Sequence, residues 1–470
     1  MKTFINILCV LALFCGGCKK FLDVNPKSTV SETDLFSSEI GFQQALIGVY
    51  SLAAERDLYG DKLSMGFVSA LAQNYNPGAH GFVFLETTAL NYQSSEVKTI
   101  TTAIWLKSYT AIAGLNNIAA KIDDQKAIFT GNNYRLIKGE SLGLRAYFHF
   151  ELLRMFGASY ALGAGKRAIP YRTQLNALSK VPETVEQVVD HVLTDLKDAE
   201  ALLDQVDPIL ETDKNRRFKM NYLAIKALQA RVYLFKGDKI NAALAANKVV
   251  DSRKFSFVTN SQISVAANQR DRLFSNEQVF ALRVRTLKDW ADAYFKVSNQ
   301  ENMYLTRSLA NFNTLYETAN GGSTDYRNTY LLENDGTVKF PSKFWQTYVA
   351  PTGAAPTARL DQTVPLIRLS EMYYILAESA ATPELGITAL NMVRKNRGIA
   401  ELAPAGATVQ KLTDEITKEY QKEFYAEGQL FYYYKRLNFP RMQFKTTLLN
   451  ADMYILPIPD SELEFNTGYN

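Results

Sequence analysis

The sequence predicts a mostly α-helical protein: a helical-repeat scaffold that carries an irregular, loop-rich subdomain with a few short strands. Two observations predict it. Apolar residues recur at helical spacing from about residue 40 to the C-terminus, with no proline-rich or glycine-serine linker between them. Residues 251–364 depart from that pattern: Asn, Gly, Ser, Thr and aromatics dominate, and Gln278 to Arg285 alternates well enough to be a strand. A length of 470 residues by itself suggests about three domains. The continuous pattern argues instead for one scaffold, with an N-terminal part at 41–250, a loop-rich insertion at 251–364 and a C-terminal part at 365–470.

The first residues concern export. Lys2 gives a thin positive start, Phe4 to Phe14 is apolar, and Gly16-Gly17-Cys18 is a small-residue site ending in cysteine. The apolar run is shorter than the roughly 20 residues needed to cross a bilayer, so 1–17 reads as a cleaved signal peptide. Residues 18–40 follow as a tether. All three cysteines, Cys9, Cys15 and Cys18, lie within the first 18 residues, so the processed chain keeps only Cys18 and can form neither an internal disulfide nor a cysteine metal site. Such a protein is held by its core, for which 47% hydrophobic residues suffice. A net charge of +4, or +3 once Lys2 is removed, argues against nucleic acid as a partner.

The helices follow in order. Ser31 or Thr33 can cap a helix running towards Tyr50. Trp105, Tyr109, Ile112 and Asn116 share one face of the next, where core packing explains Trp105 better than ligand contact does. YRLIKGESLGLRAYFHFELLRMFG follows and Gly157 ends it. Val181-Pro182-Glu183-Thr184 starts a helix to Leu203 with Val185, Val188 or Val189, Val192, Leu196 and Ala199 as its stripe. MNYLAIKALQARVYLFKGD and KINAALAANKVVD, joined at Gly237-Asp238, resemble a tetratricopeptide unit, with Ala227 and Ala230 allowing close approach. Beyond the insertion, the stretch from Pro365 reads as a helix with Leu366, Leu369, Tyr373 and Leu376 on one face. Thr382-Pro383 restarts a second, which ends near Gly398. ITKEYQKEFYAEGQLFYYYKRLN reads as a third, with Ile416, Tyr420, Phe424 and Phe431 in line. Paired stripes of this kind need similar neighbours, which is the physics of a repeat array.

These runs resemble the SusD/RagB family of nutrient-binding outer-membrane lipoproteins. The resemblance is carried by Phe21-Leu22-Asp23 with Pro26, by RAYFHFELLRMFG, and by Arg368, Ser370, Glu371, Met372 and Tyr373. It continues through Ala389 to Arg394, then Ile416, Glu419, Glu423, Phe424, Glu427 and Gly428, and finally Leu456 to Glu462. Three positions depart from the family pattern: Tyr420 and Leu430 where arginine is usual, and Tyr433 where aspartate is usual. The resemblance implies lipidation at Cys18 and a place on the outer membrane, with the protein exposed at the cell surface. It also implies delivery of a glycan or oligosaccharide to a SusC-like TonB-dependent transporter. A peptide or glycopeptide ligand, or a transporter lid with little affinity of its own, are the alternatives.

Chemistry is sparsely signalled. His80, His149 and His191 lack metal-ligand spacing, no nucleophile elbow occurs, and ALGAGKR lacks the pattern of a phosphate loop, so neither an enzyme nor a cofactor or metal site is expected. Glu419, Glu423 and Glu427 share a helix face, and the resemblance makes them structural. Binding is better signalled, because sugar CH faces stack on aromatic rings while their hydroxyls need amide or charged partners. Such mixtures occur at Tyr75 and Asn76, at Tyr92, at Asp289, Trp290 and Tyr294, and at Trp345. Trp290 and Trp345 are the leading candidates for contact.

Overall fold

The run Asn133–Phe156 forms one uninterrupted helix, and every residue from Gly139 to Phe156 is buried. A helix buried on all sides is the centre of a packed array rather than its skin. It belongs to a computed structural model that describes residues 31–76, 83–176, 178–211, 213–297, 304–350, 352–353 and 359–469. The signal segment, Cys18 and His80 lie outside the described residues.

The N-terminal array comprises α1 (Glu39–Ala53), α2 (Ser95–Ile122), α3 (Asn133–Phe156), α4 (Val185–Leu203), α5 (Tyr222–Lys236) and α6 (Lys239–Asp251), each packed on the next. Its boundaries follow local chemistry. Thr184 makes a reciprocal capping box with Gln187, and Gly237 adopts φ +86° before Asp238 caps α6. Gly143 lets the array close up, since a Cβ there would sit 2.3 Å from Ile225 Cδ1 on α5.

In the insertion, β1 (Gln278–Arg283) precedes α7 (Leu287–Phe295), and β2 (Leu332–Asp335) pairs with β3 (Val338–Pro341) in a hairpin. β4 (Thr363–Arg368) pairs antiparallel with β1, setting Gln278 opposite Arg368. The C-terminal array then runs α8 (Leu369–Glu378), α9 (Pro383–Lys395), α10 (Val409–Glu423) and α11 (Leu430–Arg436). Helix α6 packs directly on α8, with Ala242, Ala245 and Ala246 buried, so the two arrays abut across the insertion.

Three sequence expectations are corrected. The helix read from Pro365 starts only at Leu369, because Thr363–Arg368 is buried along its whole length and its backbone is used by β1. The strand read to Arg285 ends at Arg283, and the following residues lead into α7. The single helix read through 416–438 is broken: α10 stops at Glu423, Ala426 and Gly428 take φ of +62° and +71°, and α11 starts at Leu430. Glycine is required at 428, where a Cβ would lie 2.4 Å from Leu63 O. The carbonyls freed by the break are not orphaned, since Lys343 Nζ donates to Glu423 O at 3.0 Å, Tyr425 O at 3.2 Å and the Glu427 carboxylate at 2.6 Å.

Beside this break lies a buried charge cluster. Arg397 Nη2 donates to Glu277 and to Glu423, each at 2.6 Å; Arg368 reaches Glu423 and Glu427; Arg327 bridges Asp325, Glu419 and Glu423. Burial pushes the Glu423 carboxyl up, but Arg397, Arg368 and Arg327 outweigh it and hold it well below the usual range. These glutamates therefore serve as ion-pair anchors that fix the insertion to α9 and α10.

Candidate functional site

Two polar backbone segments meet where the insertion touches the N-terminal array. Asn76 N–H donates to Thr306 O at 2.9 Å, and Thr306 Oγ1 donates to Lys339 O on β3 at 2.5 Å. Arg307 is buried between them and donates to the carbonyls of Gln73, Asn74 and Tyr75. A guanidinium given to backbone carbonyls acts as a clamp on irregular chain. The result is a cleft of about 480 Å³ walled by Asn76, Tyr304, Ser308, Asn334, Thr337 and Lys339, among others. Its lining sets amide, hydroxyl, guanidinium and ammonium groups beside Leu309, Val338 and one tyrosine.

Of the residues predicted from sequence, Asn76 is exposed and lines this cleft. Tyr75 stands behind it, 1% exposed, with its hydroxyl donating to Met65 O at 2.6 Å and its ring edge-on to Tyr425. Tyr294 is fully buried and donates to Asp61 Oδ2 at 2.9 Å. These two rings therefore plug the core under their segments and offer no face to a ligand, a correction that follows from burial of a large aromatic with its hydroxyl satisfied.

Trp290 and Trp345 are half-buried. Trp290 Nε1–H donates to Gly60 O at 2.5 Å, and Trp345 Nε1–H to Phe295 O at 2.8 Å. Cations stand over both rings, Arg56 at 5.7 Å from Trp290 and Lys296 at 5.2 Å from Trp345. Asp289 is exposed on α7 beside Trp290, on a helix rather than the expected loop. Tyr92 is half-buried, does not line the cleft, and donates to Met453 O at 2.6 Å, tying its segment to the C-terminal region.

Sequence reasoning missed Arg56, Asp61, Arg307 and Lys339. Asp61 is wholly buried and gathers Arg56, Lys62 and Tyr294 on Oδ2, while its Oδ1 has no partner. No local signal marks these residues, because their roles arise from contacts across 230 positions or more in the case of Arg56 with Tyr294 and Arg307 with Gln73.

Among the described residues no group of three His, Cys, Asp or Glu side chains is arranged to hold a metal ion. His149 is a satisfied core residue: Nε2 accepts from Arg172 N–H at 2.9 Å, which leaves Nδ1–H to donate to Arg145 O at 2.9 Å.

Comparison with known proteins gives a consistent picture. A SusD-like family model described as starch-binding associating with outer membrane matches residues 20–234, and a SusD family model matches residues 311–448. A SusD-like protein of Formosa agariphila is 23% identical over 246 residues, which is 50% of this chain and only 43% of that relative's length. A SusD superfamily protein from Bacteroides fragilis superposes with TM-score 0.73 at 19% identity, over 93% of this chain and 100% of its own. A laminarin-binding SusD-like protein superposes with TM-score 0.64, also at 19% identity, over 91% and 98%. At such identities the structural likeness establishes the fold.

Proposed function

Because the chain belongs to the SusD/RagB family, we propose that it is an outer-membrane lipoprotein, anchored through Cys18 and exposed at the cell surface, that captures a glycan and delivers it to a SusC-like TonB-dependent transporter. The protein works by binding and carries out no catalysis of its own. No helix among the described residues is long and apolar enough to cross a membrane. The observation that carries the reading is the cleft beside Asn76, whose amides, hydroxyls and Lys339 ammonium supply hydrogen bonds of the kind sugar hydroxyls take. The laminarin-binding relative makes β-glucans the first class to try.

The contacts divide by exposure. Asn76 and Lys339 hydrogen-bond the ligand, Trp290 with Arg56 and Asp289 forms a second patch, and Trp345 a third, while Tyr75 and Tyr294 hold these surfaces from below. Tyr92 contributes only through the segment it pins.

The test is a binding screen of the purified chain from Lys19 onward against laminarin, other polysaccharides and peptides, with Asn76→Ala, Lys339→Ala, Trp290→Ala and Trp345→Ala alongside. Binding to one glycan class that weakens about tenfold in Asn76→Ala or Lys339→Ala supports the cleft. Loss confined to a tryptophan variant moves the site to that patch. Peptide binding alone, or silence from folded protein, overturns the glycan reading.

A further inference from the structure

A separate cavity of about 290 Å³ opens between Ile209, Glu211, Asp213 and Arg217, the segment 253–256 that follows α6, and the entry to β1 at 275–278. It shares no lining residue with the cleft beside Asn76.

Its cations differ from Arg216 beside them. Arg216, one residue away, has its charge met by Glu140 at 2.6 Å and Asp207 at 2.9 Å. Arg217, on the cavity wall, has no carboxylate within ion-pair distance among the described residues; it donates from Nη1 to Ser275 O at 2.8 Å and lies over the Phe218 ring at 5.0 Å. Burial pushes its pKa down, with only partial relief from Asp271, whose carboxylate is taken up by Ser275 and Leu273. Lys254 Nζ likewise donates to a carbonyl, Glu211 O at 2.5 Å, and to no carboxylate among the described residues. Arg253 stands exposed with φ +53°, a left-handed conformation that costs any residue with a side chain and is seen mostly where surrounding structure imposes it.

A half-buried guanidinium without a carboxylate is a desolvated charge, and an incoming oxyanion would meet it with charge-assisted, bidentate hydrogen bonds. The remaining lining limits the kind of anion. Glu211 and Asp213 stand exposed on the wall, where they repel a polyanion but can accept from hydroxyls, and Phe255 adds an apolar face. The volume is near the lower end of small-molecule pockets, roughly 300 Å³, and suits one sugar ring. We propose that this cavity is a second ligand pocket that takes a single acidic sugar unit, its carboxylate or sulfate held by Arg217, Arg253 and Lys254 and its hydroxyls by Glu211 and Asp213.

Calorimetric titration of the whole purified protein with glucuronate, a sulfated monosaccharide, glucose and inorganic sulfate tests this. Exposed Arg253→Gln leaves the fold untouched and Arg217→Gln removes the inner charge, while Lys339→Gln in the other cleft is the control. The expected result is binding of at least one acidic sugar, none of glucose, a loss of about tenfold or more in both arginine variants, and no change in Lys339→Gln. Glucuronate against the sulfated sugar tells which oxyanion is read. Absence of acidic-sugar binding, indifference to both arginine substitutions, or inorganic sulfate binding as tightly as either sugar would overturn it.

Discussion

The rings of Tyr420 and Tyr433 stack with centroids 4.1 Å apart and planes 20° from parallel. Both positions depart from the family pattern, where arginine and aspartate are usual, and the departures face each other. The two rings join α10 to α11 through their aromatic faces. The Tyr433 hydroxyl stays satisfied by Thr417 Oγ1 at 2.7 Å.

The stack should be energetically coupled. A double-mutant cycle with Tyr420→Leu and Tyr433→Leu, followed by urea unfolding, is expected to give a coupling of about 1 kcal/mol beyond the two single losses. Additive single effects would mean that the rings merely share a cavity.

The carboxylate of Glu423 holds three arginines, so Glu423→Gln leaves buried guanidinium groups partly unmet. Unfolding measurements at neutral pH should show a loss of about 3–5 kcal/mol. The normal carboxylate contributes stability above its unfolded pKa near 4.5, and that contribution is lost as pH falls towards its depressed folded value; the variant should therefore be less sensitive to acid below pH 4.5.

His149 gives an earlier acid phase. Burial lowers its pKa from 6.5 to about 3, so the folded protein resists a proton that the unfolded chain accepts. Stability contributed by the neutral ring is complete above pH 6.5 and falls on acidification towards pH 3, with a slope of up to about 1.4 kcal/mol per pH unit. His149→Gln should flatten the pH dependence of the urea midpoint between pH 6.5 and 5.

Gly428→Ala should destabilise by roughly 2 kcal/mol or more, from the left-handed backbone and the collision with Leu63 O. Gly48→Ala on exposed helix surface, where a Cβ meets nothing within 4 Å, is the control and should be neutral or stabilising.

Period and capping made the helices readable: Thr184, Gly237 and Thr382 mark ends that the structure keeps. They failed where an apolar run suits two structures. Val364 to Ile367 reads equally as helix or buried strand, and only pairing with β1 decides. The break after Glu423 was hidden because Phe424 and Phe431 remain in helical phase, and its cause, Leu63 O against Gly428, lies far upstream in the chain. The site was legible in its polar component, Asn76, and misleading in its aromatic one. Tyr75 and Tyr294 have the composition of a sugar platform, yet Met65 O and Asp61 claim their hydroxyls from elsewhere in the chain.

The clamp formed by Arg307 has a practical consequence for engineering. It fixes the chain up to Asn76 against Thr306, and Tyr425 hydroxyl and Ala426 N–H bind Asn74 from the helical side. At the other end of the same segment, Phe84 is buried with its ring 6.0 Å from Tyr294. Asn76 and Phe84 are therefore both held by contacts to distant parts of the frame. A randomised cassette spliced between Asn76 and Phe84 would change sequence there while the frame on either side stays constant, much as hypervariable segments are displayed on an antibody framework.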